Sequence, residues 1–227
     1  MIRNSSLEIR NFKIPMVQNS RNLSSSIRRG MVFIISAPSG AGKTTIRSHL
    51  LRRNPRLAFS VSHTTRPPRP GEKNRKDYNF IARNEFQKLI RKHFFLEWAE
   101  IHGELYGTGR PALEKLLSSG KDVLVEVDFQ GQAEIKKFLP EAVSIFIIPE
   151  SPADLKKRLR KRGTEEKTEL LARLEWAKVE LSKAKYYDYL VVNKERKIIS
   201  AVHQIEAIIT AEHCREKKVR GLISFQS

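Results

Sequence analysis

The sequence predicts an α/β protein: a parallel sheet covered by helices on both faces, interrupted by an inserted subdomain. Three observations predict it. From Met31 onward, short runs of β-branched and aromatic residues alternate with helical segments, the rhythm of βα units. Between about 62 and 110 that rhythm breaks into short strands and proline-rich loops. Hydrophobic residues make up 40% of the 227, enough for a core. The longest apolar runs, Met31 to Ile35 and Ile145 to Ile148, fall far short of the ~18 residues that span a bilayer.

In chain order, Val32-Phe33-Ile34-Ile35 reads as a buried strand, Ser36 to Gly42 as a Gly/Pro/Ser loop and Lys43 to Arg53 as a helix. Thr65 to Asp77 holds Pro67, Pro68, Pro70 and Gly71, which predict a loop. Asn84 can cap a helix carrying Phe86, Leu89 and Ile90. Phe94 to Ile101 reads as extended, and Pro111 opens a helix ending near Gly120. Val123 to Val127 is a strand by composition, followed by a helix near Gln130. Val143 to Ile148 is another strand, and Pro152 starts a basic helix to about Arg162. Glu165 to Ala184 is helical, Leu190 to Val192 a last strand, and Lys197 to Lys217 a final helix.

Composition narrows the function classes. With 40% hydrophobic residues the chain is not wholly disordered. A single cysteine, Cys214, excludes a disulfide scaffold and a cysteine-rich zinc module. No secretory apolar region follows the N-terminus. Lys and Arg number 43 against 25 Asp and Glu, a net charge of +18. That surface attracts polyanions such as nucleotides, nucleic acid or acidic lipid; a solvated basic face is the plainer alternative. Residues 1–30 hold six basic residues and one acid, Glu8, and read first as a basic, disordered extension. An organelle transit peptide and a start at Met31 are the competing readings. Residues 31–221 are then the folded domain and 222–227 a short tail.

Ala37-Pro38-Ser39-Gly40-Ala41-Gly42-Lys43-Thr44 is a phosphate-binding loop between strand and helix, with Ala37 where the pattern has glycine. Its glycines let backbone N–H groups face phosphate oxygens, and the helix N-terminus adds partial positive charge. Lys43 is expected to reach the β- and γ-phosphates and Thr44 to place its hydroxyl on Mg²⁺. With Thr45, the run is read as the ATP site. Ala37 costs little provided its φ is negative.

Further motifs follow: Ser62-His63-Thr64-Thr65-Arg66-Pro67-Pro68-Arg69-Pro70-Gly71-Glu72, then Lys76-Asp77-Tyr78-Asn79-Phe80, Phe95 to Glu100, Leu105-Tyr106-Gly107-Thr108, and Val125-Glu126-Val127-Asp128-Phe129-Gln130-Gly131. Arg66 and Arg69, three apart in a proline-stiffened loop, can turn two guanidinium forks on one phosphate. In order and spacing these motifs resemble the guanylate kinase family, from about Val32 to the final helix. The guanine base that the resemblance implies needs an acceptor for N1–H and the 2-amino group and a donor for O6.

The resemblance implies a P-loop nucleoside monophosphate kinase fold with a GMP-binding subdomain at about 62–110 and a helical lid at about 155–175. It implies that Arg66, Arg69, Tyr78 and Tyr106 grip the GMP phosphate. Glu97 then reads N1 and the 2-amino group, Ser62 reads O6, and Thr108 also meets the base. Asp128 falls near GMP and the metal, reached through water; Glu126 stands where aspartate is commoner. In the lid, Arg158 and Arg162 share a helix face at i, i+4; with Arg173 they match arginines that reach the triphosphate. Asn193 matches a position near the adenine. Lys43, Arg66, Arg158, Arg162 and Arg173 are thus the catalytic set.

The reaction implied is ATP + GMP giving ADP + GDP with Mg²⁺, serving purine nucleotide metabolism and GMP recycling. The attacking phosphate oxygen is already ionised, so alignment and charge neutralisation replace a general base. Taken singly, each residue has a duller reading: core tyrosines, solvated loop arginines, and Glu97 on the exposed side of an alternating strand. His63 and His102 have no partners at metal-ligand spacing and are read as structural. Another nucleoside monophosphate kinase, a phosphopeptide-binding scaffold and a nucleic-acid binder are the alternatives. Ser62, Glu97 and Thr108 disfavour the first, Lys43, Thr44 and Arg158 the second, and the lack of an RNA-binding motif the third. No membrane and no specific nucleic acid partner is expected, a homo-oligomer is left open, and the compartment expected is the cytoplasm.

Overall fold

The computed structural model describes residues 30–101, 103–161 and 167–215. The expectations for the N-terminal extension, His102, Arg162 and the tail at 222–227 lie outside the described residues.

The elements follow in order: β1 (Val32–Ser36), α1 (Lys43–Arg53), β2 (Leu57–Ser60), β3 (His63–Thr64), β4 (Asn79–Phe80), α2 (Arg83–Arg91), β5 (Phe95–Ile101), β6 (Glu104–Gly109), α3 (Arg110–Ser118), β7 (Asp122–Glu126), α4 (Phe129–Phe138), β8 (Val143–Pro149), α5 (Pro152–Lys161), α6 (Lys167–Ser182), a short 3₁₀ turn at Ala184–Tyr186, β9 (Tyr189–Asn193) and α7 (Ile198–His213). The main sheet has the order β2-β7-β1-β8-β9, with every neighbouring pair parallel. A second sheet, β4-β3-β6-β5, is mostly antiparallel.

Alternation along β1 explains the layering. Phe33 and Ile35 point to one face, where Ile46 and Leu50 of α1 and Val202 and Ile205 of α7 cover them. Val32 and Ile34 point to the other, against Leu113 of α3 and Ile135 of α4. A strand buried on both sides must be apolar throughout, which is why the run from Val32 to Ile35 has no polar break. All five strands run the same way, so their C-terminal ends and the loops after them gather on one edge of the sheet.

Two local expectations need correction. Asn84 does not cap α2: Ala82 occupies that position without a side-chain bond, and Asn84 lies inside the first turn. The last helix ends at His213, not Lys217, with Cys214 as its cap. The strand β2, next to β7, was not expected: Leu57-Ala58-Phe59-Ser60 is too short and too mixed to stand out, and its parallel pairing with Asp122 to Val125 is what makes it a strand.

The second sheet has its own core. Phe86 of α2 is fully buried and stacks on Phe95 of β5 at 4.4 Å between ring centroids, with Leu105 beside them. Phe86→Ala is expected to cost ~3–5 kcal/mol, the range for emptying a buried phenylalanine site. Urea unfolding followed by circular dichroism measures it.

Candidate functional site

The loop Ala37–Gly42 leaves the C-terminal end of β1 and closes on itself through Ala41 N–H donating to the Pro38 carbonyl at 3.0 Å. Gly40 and Gly42 have φ of +86° and +93°, a region that favours glycine. Ala37 is not among the residues with positive φ, so alanine stands there without backbone strain. Gly42 also occupies the cap position of α1, which aims the free N–H groups of the first helical turn and the Lys43 side chain at the space above the loop.

That space is a cavity of about 330 Å³. The phosphate loop, Lys43 and Thr44 form one wall, Arg66, Arg69, Tyr78 and Tyr106 another, and Asp128 and Arg173 close it between them. Residues far apart in sequence, placed by two different sheets, thus meet around one volume. Thr45 is exposed and does not line it.

On the wall of Arg66, Arg69, Tyr78 and Tyr106, Arg66 forms a two-pronged ion pair with Glu72, both contacts at 2.9 Å, and lies 5.5 Å from the Tyr78 ring centroid. Glu72 also accepts the Arg69 backbone N–H at 2.7 Å, so one carboxylate ties both ends of the Arg66–Arg69 turn. Burial opposes its charge, yet Arg66 and Arg69 together hold the Glu72 carboxyl below the usual range. Tyr78 and Tyr106 meet edge to face at 6.0 Å. Burial pushes the Tyr78 hydroxyl up to about 12, keeping it a neutral donor at pH 7.

Ser62, Glu97 and Thr108 lie together behind this wall. Strand β6 pairs with β5 on one side, setting Glu97 opposite Thr108, and with β3 on the other, setting Ser62 one step beyond the His63–Gly107 pair. Thr108 Oγ1 donates to Glu97 Oε1 at 2.6 Å, and the Ser62 hydroxyl is buried without a partner among the described residues. Glu97 is only 7% exposed, so it is not on a solvent face. The reason is a bulge between Phe95 and Glu97: Phe95, Leu96 and Glu97 are all buried, which a regular alternating strand does not allow. Leu96 enters the main core beside Val32 and Ile34, while Glu97 turns towards α4. There Gly131 leaves the room it needs: a Cβ on Gly131 would sit 3.0 Å from Glu97 Oε2 and 2.8 Å from Val127 Cβ. Burial, opposed by the Thr108 hydrogen bond, pushes the Glu97 carboxyl up to about 7.

Asp128 has a role the sequence reading missed. It caps α4, accepting N–H groups of Gln130 and Gly131 at 3.0 and 2.9 Å, through the same oxygen. Among the described residues its second oxygen meets the Gln130 side chain, at 3.3 Å.

Arg158 of α5 turns to the back of the phosphate loop. It pairs with Asp154, donates to the Asn193 carbonyl at 2.8 Å and approaches the Ala41 carbonyl at 3.4 Å. Asn193 is 3% exposed and donates its side-chain amide to the Ala41 carbonyl at 2.7 Å. Neither lines the cavity. Arg173 does, on the α6 face that also carries Trp176 and Glu180 at i, i+3 and i+7.

Sequence reasoning gave no role to six cavity residues: Arg47, Glu72, Asp77, Ile101, Trp176 and Glu180. Arg47 follows Lys43 at i+4, a spacing that places both on one helix face. Glu180 is pushed up to about 7 by burial, against the pull of Lys43. His63 packs its ring against Phe94 and Phe95 at 5.3 and 5.5 Å. Among the described residues no group of His, Cys, Asp or Glu forms a metal cage, and no helix is long and apolar enough to cross a membrane.

A family model described as guanylate kinase matches residues 29–212. The guanylate kinase of Carboxydothermus hydrogenoformans is 42% identical over 193 residues, covering 85% of this chain and 94% of the relative. That of Thermotoga maritima is 45% identical over 187 residues, covering 82% and 89%. The crystal structure of guanylate kinase from Anaplasma phagocytophilum superposes with a TM-score of 0.68 at 34% identity, covering 82% of this chain and 88% of that one.

Proposed function

The chain belongs to the guanylate kinase family, and from that membership we propose that the cavity transfers the γ-phosphoryl group of ATP to the phosphate of GMP, giving ADP and GDP. One observation carries the reading: the phosphate loop and the arginine-tyrosine wall face each other across a single cavity, so donor and acceptor phosphates meet inside it. Lys43 and the N–H groups of the α1 N-terminus hold the donor phosphates. Arg66, Arg69, Tyr78 and Tyr106 hold the acceptor phosphate, with Glu72 keeping Arg66 in place. Glu97, Ser62 and Thr108 read the base. Arg173 reaches in from α6, and Arg158 steadies the loop from behind. A phosphate oxygen attacks without a base, so these cations act by aligning it and neutralising charge as it builds.

The donor set suits Mg²⁺. Thr44 and Asp128 offer hard oxygen atoms at the same cavity, and Glu126 keeps one buried oxygen without a partner among the described residues. A site with few protein ligands fits an ion that retains waters and binds substrate phosphates. Mg²⁺ would supply charge neutralisation on the donor phosphates. Such a reaction belongs to purine nucleotide metabolism and GMP recycling, and we place it in the cytoplasm, where ATP and GMP meet.

A coupled assay of ADP formation with GMP, AMP, CMP and UMP tests the reading; GMP is expected to be preferred by orders of magnitude, and equal rates with AMP would refute it. A pH profile tests the base reader. Guanine needs Glu97 charged, and its carboxyl titrates at about 7, so kcat/KM for GMP rises through about pH 7 and then levels off. The phosphate of GMP, with a pKa near ~6, adds a limb of its own in any variant. The Glu97 limb is the one lost in Glu97→Gln. Folding stability moves the other way. A carboxyl raised from 4.5 to about 7 gives its full stabilisation below 4.5 and loses it as pH rises through about 7. Glu180 adds the same sign.

A further inference from the structure

Arg47 lies where the two halves of the cavity join. It is 7% exposed, one turn after Lys43 on α1. One terminal nitrogen meets Asp77 at 3.0 Å and the other meets Glu126 at 3.3 Å, while the guanidinium carbon lies 4.4 Å from the Phe59 ring centroid. Asp77 also accepts the Lys73 N–H at 2.9 Å, which closes the acceptor loop just before Tyr78. Glu126 ends β7, two residues before Asp128. A single planar cation thus binds the donor helix, the acceptor loop and the end of a central strand.

We propose that Arg47 is a positioning residue that couples the two nucleotide sites: it fixes the Asp77–Tyr78 segment relative to Lys43 and Thr44 and neutralises the two carboxylates that would otherwise face the acceptor phosphate. The geometry explains why an arginine is needed. Lysine keeps the charge but, as a point donor on a flexible stem, cannot hold both carboxylates and lie flat on Phe59. Removing the cation leaves two partly buried carboxylates unpaired beside an anionic substrate.

This rests on the reading of the cavity as an ATP and GMP site, so wild-type GMP phosphorylation is measured first. Arg47→Met, Asp77→Asn and the double variant then form a cycle on kcat and on KM for each nucleotide. Arg47→Met is expected to raise KM for GMP ~10-fold or more and to lower kcat, with KM for ATP changed less than ~3-fold. The double variant is expected to be about as impaired as the worse single one. Arg47→Lys should recover part of the loss, and it supplies the readout if Arg47→Met does not fold. A merely structural role would reduce the amount of active enzyme without moving KM. An active wild type whose double variant shows the product of the two single losses, or an Arg47→Lys enzyme with wild-type constants, overturns the role of Arg47 alone. A wild type inactive on GMP overturns the site reading and this proposal with it.

Discussion

Lys43→Ala is expected to cut phosphoryl transfer by ~10³-fold, on the order of 4 kcal/mol of transition-state stabilisation, in a protein that remains folded. The residue is the first of α1 and borders the cavity, so its loss empties no core site. Alanine is also the best helix former, and the helix keeps its Gly42 cap. On the proposed reading, what disappears is a positive charge that meets the triphosphate as the bond to the γ-phosphorus breaks. A second effect follows across the cavity. The Glu180 carboxyl feels Lys43 as its main favourable charge, so without it that carboxyl rises further and is protonated over a wider range. Circular dichroism and ADP formation on the same sample check the result. Near-wild-type turnover in the folded variant would falsify the assignment of the loop as the donor site.

The second large effect is on base choice. Glu97→Gln keeps size and the Thr108 contact, because the amide oxygen can still accept the hydroxyl now 2.6 Å from Oε1. It exchanges the other acceptor for a donor that opposes guanine N1–H. A lost charge-assisted hydrogen bond together with an unpaired donor is expected to lower kcat/KM for GMP by ~10²-fold. KM for ATP should change little. AMP lacks both N1–H and the 2-amino group, and a site with buried, committed polar groups rejects such an analogue by ~10⁴-fold or more. The GMP-over-AMP ratio should therefore shrink by ~10-fold or more in the variant. Stability should hold or improve above pH 7, because the variant no longer buries a charge there. Measuring kcat/KM for both nucleotides decides the matter; an unmoved ratio removes Glu97 from the role of base reader.

What the sequence made legible was what local chemistry dictates. The glycines and Lys43 of the loop demand a strand before and a helix after, and both are there. The all-apolar strands had to be central. Elements defined by their neighbours were not legible: β2 is a strand only because β7 lies beside it. For Glu97 the resemblance alone points to the site: between Leu96 and Trp98 it fits an exposed alternating position, and only the bulge, a property of how β5 meets β6, turns it inward. Arg47 and Glu180 were hidden for the same reason. A charged residue on a helix usually faces water, and nothing local marks the one whose partners come from Asp77 and Glu126, or from the far side of a cavity.

The two sheets also assemble on different clocks. Strands β5 and β6 follow each other directly, pairing Ile101 with Glu104 and zipping back to Phe95 and Gly109. A hairpin of this kind closes in microseconds because its loop costs little entropy. The main sheet has no such pair. Its central strand must find Val123 from Val32, and every contact closes a long loop before anything is gained. The hairpin carrying Glu97 and Thr108 can thus exist while the chain still searches for its parallel register. Substitutions that weaken the hairpin then act mainly on the rate of folding, because its contacts are already made when the register is found, and contacts made only afterwards act mainly on the rate of unfolding.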